Sequence, residues 1–456
     1  MAPLPGRTGV NHHRRTGVCR RLARGQERSR STLVPYDDDI LTEHADEAAG
    51  LWSLRQALAR RPQMRLADLA EHDERIEAHL DGLRLAGSDG WRIASKVSAQ
   101  APGPGSFFVL AALACEAEEA DVRRSVIAKL ILADPTVIAG VVAGFTWVIT
   151  PRTTSASAAW WQIDAPSLRQ SALGIDVASG RDPAERLTAA CTHPDAALRE
   201  RALRAAGELG RSDLLDRCRK ALTDAEPACR SAALWSLVLL GGDSGTALRT
   251  HATRVTDRWA ERLVDLGARR LPRATVMDWL NLAAAKPEHL RHAVQLAGGH
   301  GDPLVMPWLL MQLHMPVVAR LAGQAFSQIT GVDLEEAGLT RTAPAGFHAG
   351  PTDDPADSDV APDPDEYLPW PDAAKLAAWW KNHADSIPVG VRHLLGRPLT
   401  SEHLDAILRS GTQPQRAAAA IERVVLASGS PLFDVLAPAE RQLAFLSRTN
   451  VASSSL

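Results

Sequence analysis

Cysteine is scarce and poorly spaced in this sequence: five residues, at 19, 115, 191, 218 and 229, with no CxxC pair and an odd one over. That pattern excludes a disulfide framework and a cysteine zinc site. Cys191 and Cys229 fall at apolar positions and read as small core residues in a reducing compartment. Tyrosine and phenylalanine are also few, 2 and 7 against 12 tryptophans. Flat indoles then serve to fill gaps between helices whose other positions are mostly alanine. A long apolar run is missing as well. The longest stretch, Thr136 to Thr150, is too short to span a bilayer and matches a buried helix. The basic N-terminus lacks the apolar core of a secretory signal. These absences lead to the expectation of a soluble, cytoplasmic protein with no membrane contact.

Catalytic signatures are missing too. The glycine-rich turns at 241–245 and 298–301 do not match GxxxxGK[ST] and follow no strand pattern. Neither a Ser–His–Asp elbow, nor HExxH, nor a paired-carboxylate pattern is present. The expectation is a non-enzymatic protein with no cofactor and no metal, although an active site assembled from distant repeats would leave no local motif.

The formal charge of −3 conceals segregation. Residues 1–34 hold eight arginines (7, 14, 15, 20, 21, 24, 28 and 30) against the single Glu27, a net of +7 that leaves −10 elsewhere. An acidic body argues against general nucleic-acid binding.

What is present is a repeat. Leu198–Gly210 lies over Cys229–Gly241 at an offset of 31, matching Arg199 to Arg230, Ala202 to Ala233, Leu203 to Leu234, Leu209 to Leu240 and Gly210 to Gly241. Apolar positions at helical spacing, closed by glycine at this period, are the mark of a stacked helical-hairpin solenoid. Val122-Arg123 and Val126-Ile127 repeat the pattern earlier. The fold predicted is all-α, a superhelix of roughly six to eight hairpins by this period.

Composition divides the chain into four parts. Residues 1–34 are too poor in apolar groups to fold alone and read as a functionless arm or a start assigned too far upstream. Residues 35–337 carry the repeats. Residues 338–371 form an acidic, proline-rich linker or long surface loop, with no lysine or arginine between Arg341 and Lys375. Residues 372–456 are a C-terminal helical region, either further hairpins or a small module docked on the array.

The repeats are similar to HEAT-type repeats, with Asp195 or Glu226 ahead of a helix and Arg199 or Arg230 inside it. Four segments resemble a family of uncharacterised bacterial HEAT-repeat proteins. They are His44–Trp52, Leu66 through Arg84, Ala325–Leu334 and Leu394–Leu399. The resemblance covers most of the chain from about Val34 to Leu446 and leaves the arginine-rich arm outside. It implies a scaffold, and some members' genes lie near type VI secretion components. It carries over no catalytic residue.

Several constellations have competing readings. Glu288-His289-x-x-His292, followed by His300, sets imidazoles at i and i+3. Solvated histidines at a hairpin edge are commoner than a metal site there. Trp147, Trp160, Trp161 and Asp164 offer an aromatic, acidic wall of the kind HEAT-like DNA glycosylases use, or the lining of a pocket as in HEAT-like pigment lyases. Residues 181–275 hold 17 basic against 13 acidic residues, a mild excess typical of a solvated face. Arg199, Arg201, Arg204, Arg217, Arg219, Lys220 and Arg230 read first as a ladder tying adjacent hairpins through Asp195 or Glu226. The functional alternative is a line of guanidiniums gripping acidic partner peptides, with the chain's own 353–366 segment as a ligand in cis. The candidate interaction surface is therefore Arg199, Arg201, Arg204, Arg230, Trp160 and Trp161. The partner expected is a protein, and oligomeric state is left open.

Overall fold

Apolar stripes along this chain become helices that stack as hairpins. The computed structural model describes residues 36–116, 120–242, 245–252, 258–350 and 362–453. The arm at 1–34 and the acidic stretch at 353–361 lie outside the described residues. Contacts gather 38–456 into one unit.

Three helices open it: α1 (Asp38–Leu58), α2 (Leu66–Leu85) and α3 (Ser88–Gln100). There follow α4 (Pro104–Glu116), α5 (Ala120–Ala133), α6 (Ile138–Phe145), α7 (Pro151–Trp161) and α8 (Pro166–Ala178). The next hairpins are α9 (Glu185–Ala190) with α10 (Ala196–Glu208), and α11 (Leu215–Lys220) with α12 (Pro227–Leu239). Three more pairs complete the array: α13 (Gly245–Ala252) with α14 (Arg258–Arg270), α15 (Arg273–Ala284) with α16 (Leu290–His300), and α17 (Met306–Gln312) with α18 (Pro316–Thr330).

The order of contact makes this a solenoid. Helices α1, α4, α6, α8, α10, α12, α14, α16 and α18 form a ladder in which each packs on the next. From α7 onward the odd-numbered helices each back the rung that follows them. A rung needs apolar residues on several sides, and in α12 every residue from Ser231 to Leu239 is buried. The shared offset of 31 becomes shared geometry. Gly210 and Gly241 both adopt positive φ, +69° and +90°, and end α10 and α12 in left-handed turns. Where α10 meets α12, Ser236 Oγ accepts from the Gly207 amide at 3.2 Å and donates to the Leu203 carbonyl at 2.6 Å.

One apolar core runs through the ladder, from Leu41 to Leu376 and Val424. Indoles fill it as the composition implied: Trp52 stacks on Phe108 at 5.2 Å, and Phe145 meets Trp160 edge-on at 5.1 Å. Cys191, Cys218 and Cys229 are buried, and burial pushes their thiols up to about 11, 12 and 11. Among the described residues no single helix is long and apolar enough to cross a membrane, although α5 and the Pro135–Phe145 stretch together form an apolar pair bent by 120°.

After α18 the chain makes an excursion and returns. Thr340 bridges Pro371, the Arg341 amide donates to Trp370 O at 2.9 Å, and the Asp372 amide donates to Leu339 O at 2.8 Å. Residues 342–369 therefore leave and re-enter the fold at one point. Helix α19 (Ala373–His383) leads to a ribbon of two short strands, β1 (His393–Leu394) and β2 (Arg397–Pro398), which is a small exception to an all-α fold. Helices α20 (Ser401–Ser410), α21 (Gln413–Leu426) and α22 (Ala439–Ser453) form a module with a small core of its own, including Leu404, Leu408 and Leu446.

That module runs along the C-terminal ends of the rungs. The Leu395 amide donates to Gln328 O of α18 at 2.7 Å, and the His393 amide to Gly301 O beyond α16 at 2.8 Å. Arg269 of α14 pairs with Glu422 at 3.2 Å. The Leu432 amide donates to Glu208 O of α10 at 2.9 Å, and Arg441 donates to Ala178 O of α8 at 2.5 Å. The far end reaches the first hairpin, where the Gln413 amide donates to Met64 O and Arg55 donates to the carbonyls of Leu436 and Ala437.

Candidate interaction surface

Near the start of each rung from α8 to α18 stands an arginine. Arg199, fourth in α10, donates through Nη1 to the carbonyls of His193 and Pro194 at 2.6 and 3.0 Å. Arg230, fourth in α12, does the same to Asp224 and Ala225 at 2.7 and 2.9 Å. These carbonyls are also 31 residues apart, so one local fixture is built twice. The arginine ties down the turn that precedes its own helix, whose last carbonyls lack helical partners.

The remaining arms of Arg199 reach forward. Nε and Nη2 donate to the two carboxylate oxygens of Asp224 at 2.7 and 3.0 Å, across to the next hairpin. The guanidinium holds the Asp224 carboxyl below its ordinary range. The ladder acid is thus Asp224. Asp195 instead caps α10, accepting from the Leu198 amide at 2.9 Å, and Glu226 makes no side-chain cap. Asp195 is a strong helix N-cap type, which explains why it serves its own helix and not the neighbouring arginine.

Two other arginines of the expected surface are answered within their own helix. Arg201 Nη1 pairs with Glu208 at 2.8 Å, and Arg204 lies 3.3 Å from Glu208 and 3.8 Å from Glu200. Burial pulls Arg201 below the usual arginine range. Trp160 and Trp161 belong to the packing of the core and not to an accessible face, being only 2% and 8% exposed. Trp161 Nε1 donates to Asp176 at 2.8 Å, and Trp147 Nε1 donates to Glu77 at 2.8 Å. Asp164 lies apart from them on the surface, 3.1 Å from Arg169. His289 and His292 stack with centroids 5.9 Å apart, while His300 is buried with Nδ1 3.2 Å from Ala268 O. Among the described residues no group of three or more His, Cys, Asp or Glu gathers as a metal site.

Further along the ladder the arginines take a different kind of partner. Arg291 of α16 grips both carboxylate oxygens of Asp365 at 2.8 Å each. Arg320 of α18 donates to Asp363 Oδ2 at 2.6 Å and to Asp365 O at 2.9 Å. Its guanidinium lies 4.8 Å from the Trp370 ring centre and 5.9 Å from that of Phe347, and those two rings meet edge-on. Asp365 is 4% exposed and Arg320 is 6%. Two residues on, Tyr367 stacks under Arg61 of the α1–α2 turn, 4.6 Å from ring centre to guanidinium, and Gln63 donates to Tyr367 O. Residues 363–367 therefore join the last rungs to the first hairpin. Planar guanidinium suits both bidentate carboxylate pairing and stacking on aromatic faces.

Sequence reading named neither Arg291 nor Arg320. The signal was present, since spacings of 30, 31, 32, 29 and 29 link Arg169, Arg199, Arg230, Arg262, Arg291 and Arg320. Reading that comb beyond the two clearest repeats would have found them.

A right- or left-handed sense aside, the architecture defines an α-solenoid of stacked hairpins. Within it, a family model for HEAT repeats matches residues 184–264, from α9 into α14. No curated protein matches the chain.

Proposed function

We propose that this protein is a non-enzymatic interaction scaffold that holds acidic segments of partner proteins on its arginine comb. One observation carries the reading: the side chains of Arg291, Arg320 and Arg61 hold an acidic, proline-bearing turn of chain at residues 363–367. Rungs with a continuous core present such side chains with little ordering cost, which favours binding by a preorganised surface. The glycosylase-like and pigment-lyase-like alternatives lose support, because the tryptophans they require are packed against Phe145, Asp176 and Glu77. The same reading keeps the protein in the cytoplasm. Resemblance of four segments to bacterial HEAT-repeat proteins makes type VI secretion components the first partners to try.

The test is affinity capture at low and moderate salt, followed by titration of the captured protein, purified, against the scaffold. A partner that survives moderate salt and binds as a pure protein supports the reading. Recovery of nucleic acid alone, or turnover of a small molecule by the purified chain, overturns it.

A further inference from the structure

We infer that Arg291 and Arg320, with Arg61 opposite, form a docking site for an acidic peptide segment that also carries an aromatic residue, and that residues 362–370 occupy this site as an intramolecular ligand. The inference rests on the scaffold reading and adds the chemistry of the partner and a form of self-regulation.

Four observations lead there. The comb sets the demand for carboxylate. Arg199 finds Asp224 in the turn 25 residues on, but the corresponding turn for Arg291, His314-Met315-Pro316, has no acid. Arg320 stands on the last rung, where no further hairpin follows in the ladder. Asp365 and Asp363 meet that demand from outside the repeats.

The excursion is also separable from the array. Its ends are joined by the Thr340–Pro371 bridge and the Arg341–Trp370 bond, so the path of the repeats does not depend on the residues between them. The contacts of its described residues include ion pairs, hydrogen bonds and ring stacking. Buried ion pairs come close to break-even against their desolvation, so such a contact is exchangeable for another of the same kind. Contacts of this polar character are also typical of interfaces that open.

The segment is built as a ligand. The Asp365 amide donates to Asp363 Oδ1 at 2.9 Å and the Leu368 amide to Asp365 O at 2.9 Å, so the segment holds its own turn while presenting both carboxylates to the arginines. Finally, the site has unspent capacity. Arg320 Nε is buried without a hydrogen-bond partner, a donor that a closer-fitting carboxylate would use.

The experiment replaces residues 343–368 with a short Gly-Ser linker and measures fluorescence anisotropy of a labelled synthetic peptide with the sequence of residues 362–369. A full-length D363N/D365N variant serves as a second open form. Expected are salt-sensitive peptide binding by both open forms and binding at least about tenfold weaker by the wild type. A further drop of about tenfold or more is expected when R291Q and R320Q are added to the open form, the scale of losing charge-assisted bonds. Failure of a folded open form to bind the peptide overturns the inference, as does binding unaffected by R291Q/R320Q. Preference of the open form for a single-stranded oligonucleotide over the peptide overturns it too. Partner capture by the open form is scored separately: its absence counts against the scaffold reading, whereas equal peptide binding by the wild type and the open forms counts against the intramolecular ligand alone.

Discussion

Arg199 and Asp224 are joined by two parallel hydrogen bonds, of 2.7 and 3.0 Å, across the boundary between consecutive hairpins. Both side chains are mostly shielded, 14% and 12% exposed, so the pair acts on stability in a way that surface ion pairs do not. Arg199→Ala should destabilise the array by about 2–3 kcal/mol, since it strands a carboxylate and two carbonyls at once. Urea unfolding of the two proteins measures the difference.

The same pair sets a pH dependence. Arg199 depresses the folded-state pKa of Asp224, so its contribution is complete above the unfolded value of about 3.9 and is lost as pH falls through the lower folded value. The stability gap between wild type and Arg199→Ala should therefore shrink below about pH 4. A gap that widens in acid would refute this assignment.

Arg55 ties the first helix to the C-terminal module. It donates to Asp73 and to the carbonyls of Leu436 and Ala437, while Asp73 accepts from the Ala439 amide at 2.8 Å. Arg55→Ala should cost about 3–5 kcal/mol, the range for removing one partner of a buried pair. Hydrogen exchange should rise first across residues 434–446, with α10 and α12 still protected. Uniform loss of protection would show that the module and the ladder are one cooperative unit.

Gly210 tests the seam between array and module. It sits at φ +69°, and a methyl there would collide with the Gly429 carbonyl. Gly210→Ala should lose about 1–2 kcal/mol to backbone conformation alone, with more from displacing the Gly429 loop. Thermal melts compared with a Gly180→Ala control, which has φ +68° and open space, separate the two effects.

Thiol chemistry offers a fifth check. Cys191, Cys218 and Cys229 are buried with thiols pushed up to about 11, 12 and 11, so their thiolate populations are small at pH 8. Alkylation at that pH, followed by peptide mass spectrometry, should label these three at a rate set by unfolding. Fast labelling of native protein at Cys218 would contradict its position in the core.

The repeats were legible because hairpin folding is local: Leu203 and Leu234 bury the same face for the same reason, and helical spacing records it. The arginine comb was half legible. Its spacing is visible in sequence, but the acids the sequence offers it are Asp195 and Glu226, of which Asp195 satisfies the amide of its own helix while Asp224 takes the arginine. Trp160 and Trp161 were placed on a surface because neighbouring indoles look the same in sequence whether a later helix covers them or not. Helix α8 does cover them, through Asp176 and the Ala172 backbone beside Ser157. Docking of the module was legible only as a choice between alternatives. A contact such as Arg55 to Ala437 spans 382 residues and leaves no local trace.

Open repeat arrays fray at their tips, because each unit leans only on its neighbours and the outermost has one neighbour. Here the terminal hairpins share a common fastening, since the ribbon after α19 holds the Gln328–Ile329 backbone while the other end of the module holds Arg55, Met64 and Asp73. Among the described residues neither terminal hairpin is a free tip from which to unravel. Removing one hairpin would leave the fastening out of register with both ends. The number of repeats is thereby tied to closure, as the length of a belt is fixed by its buckle.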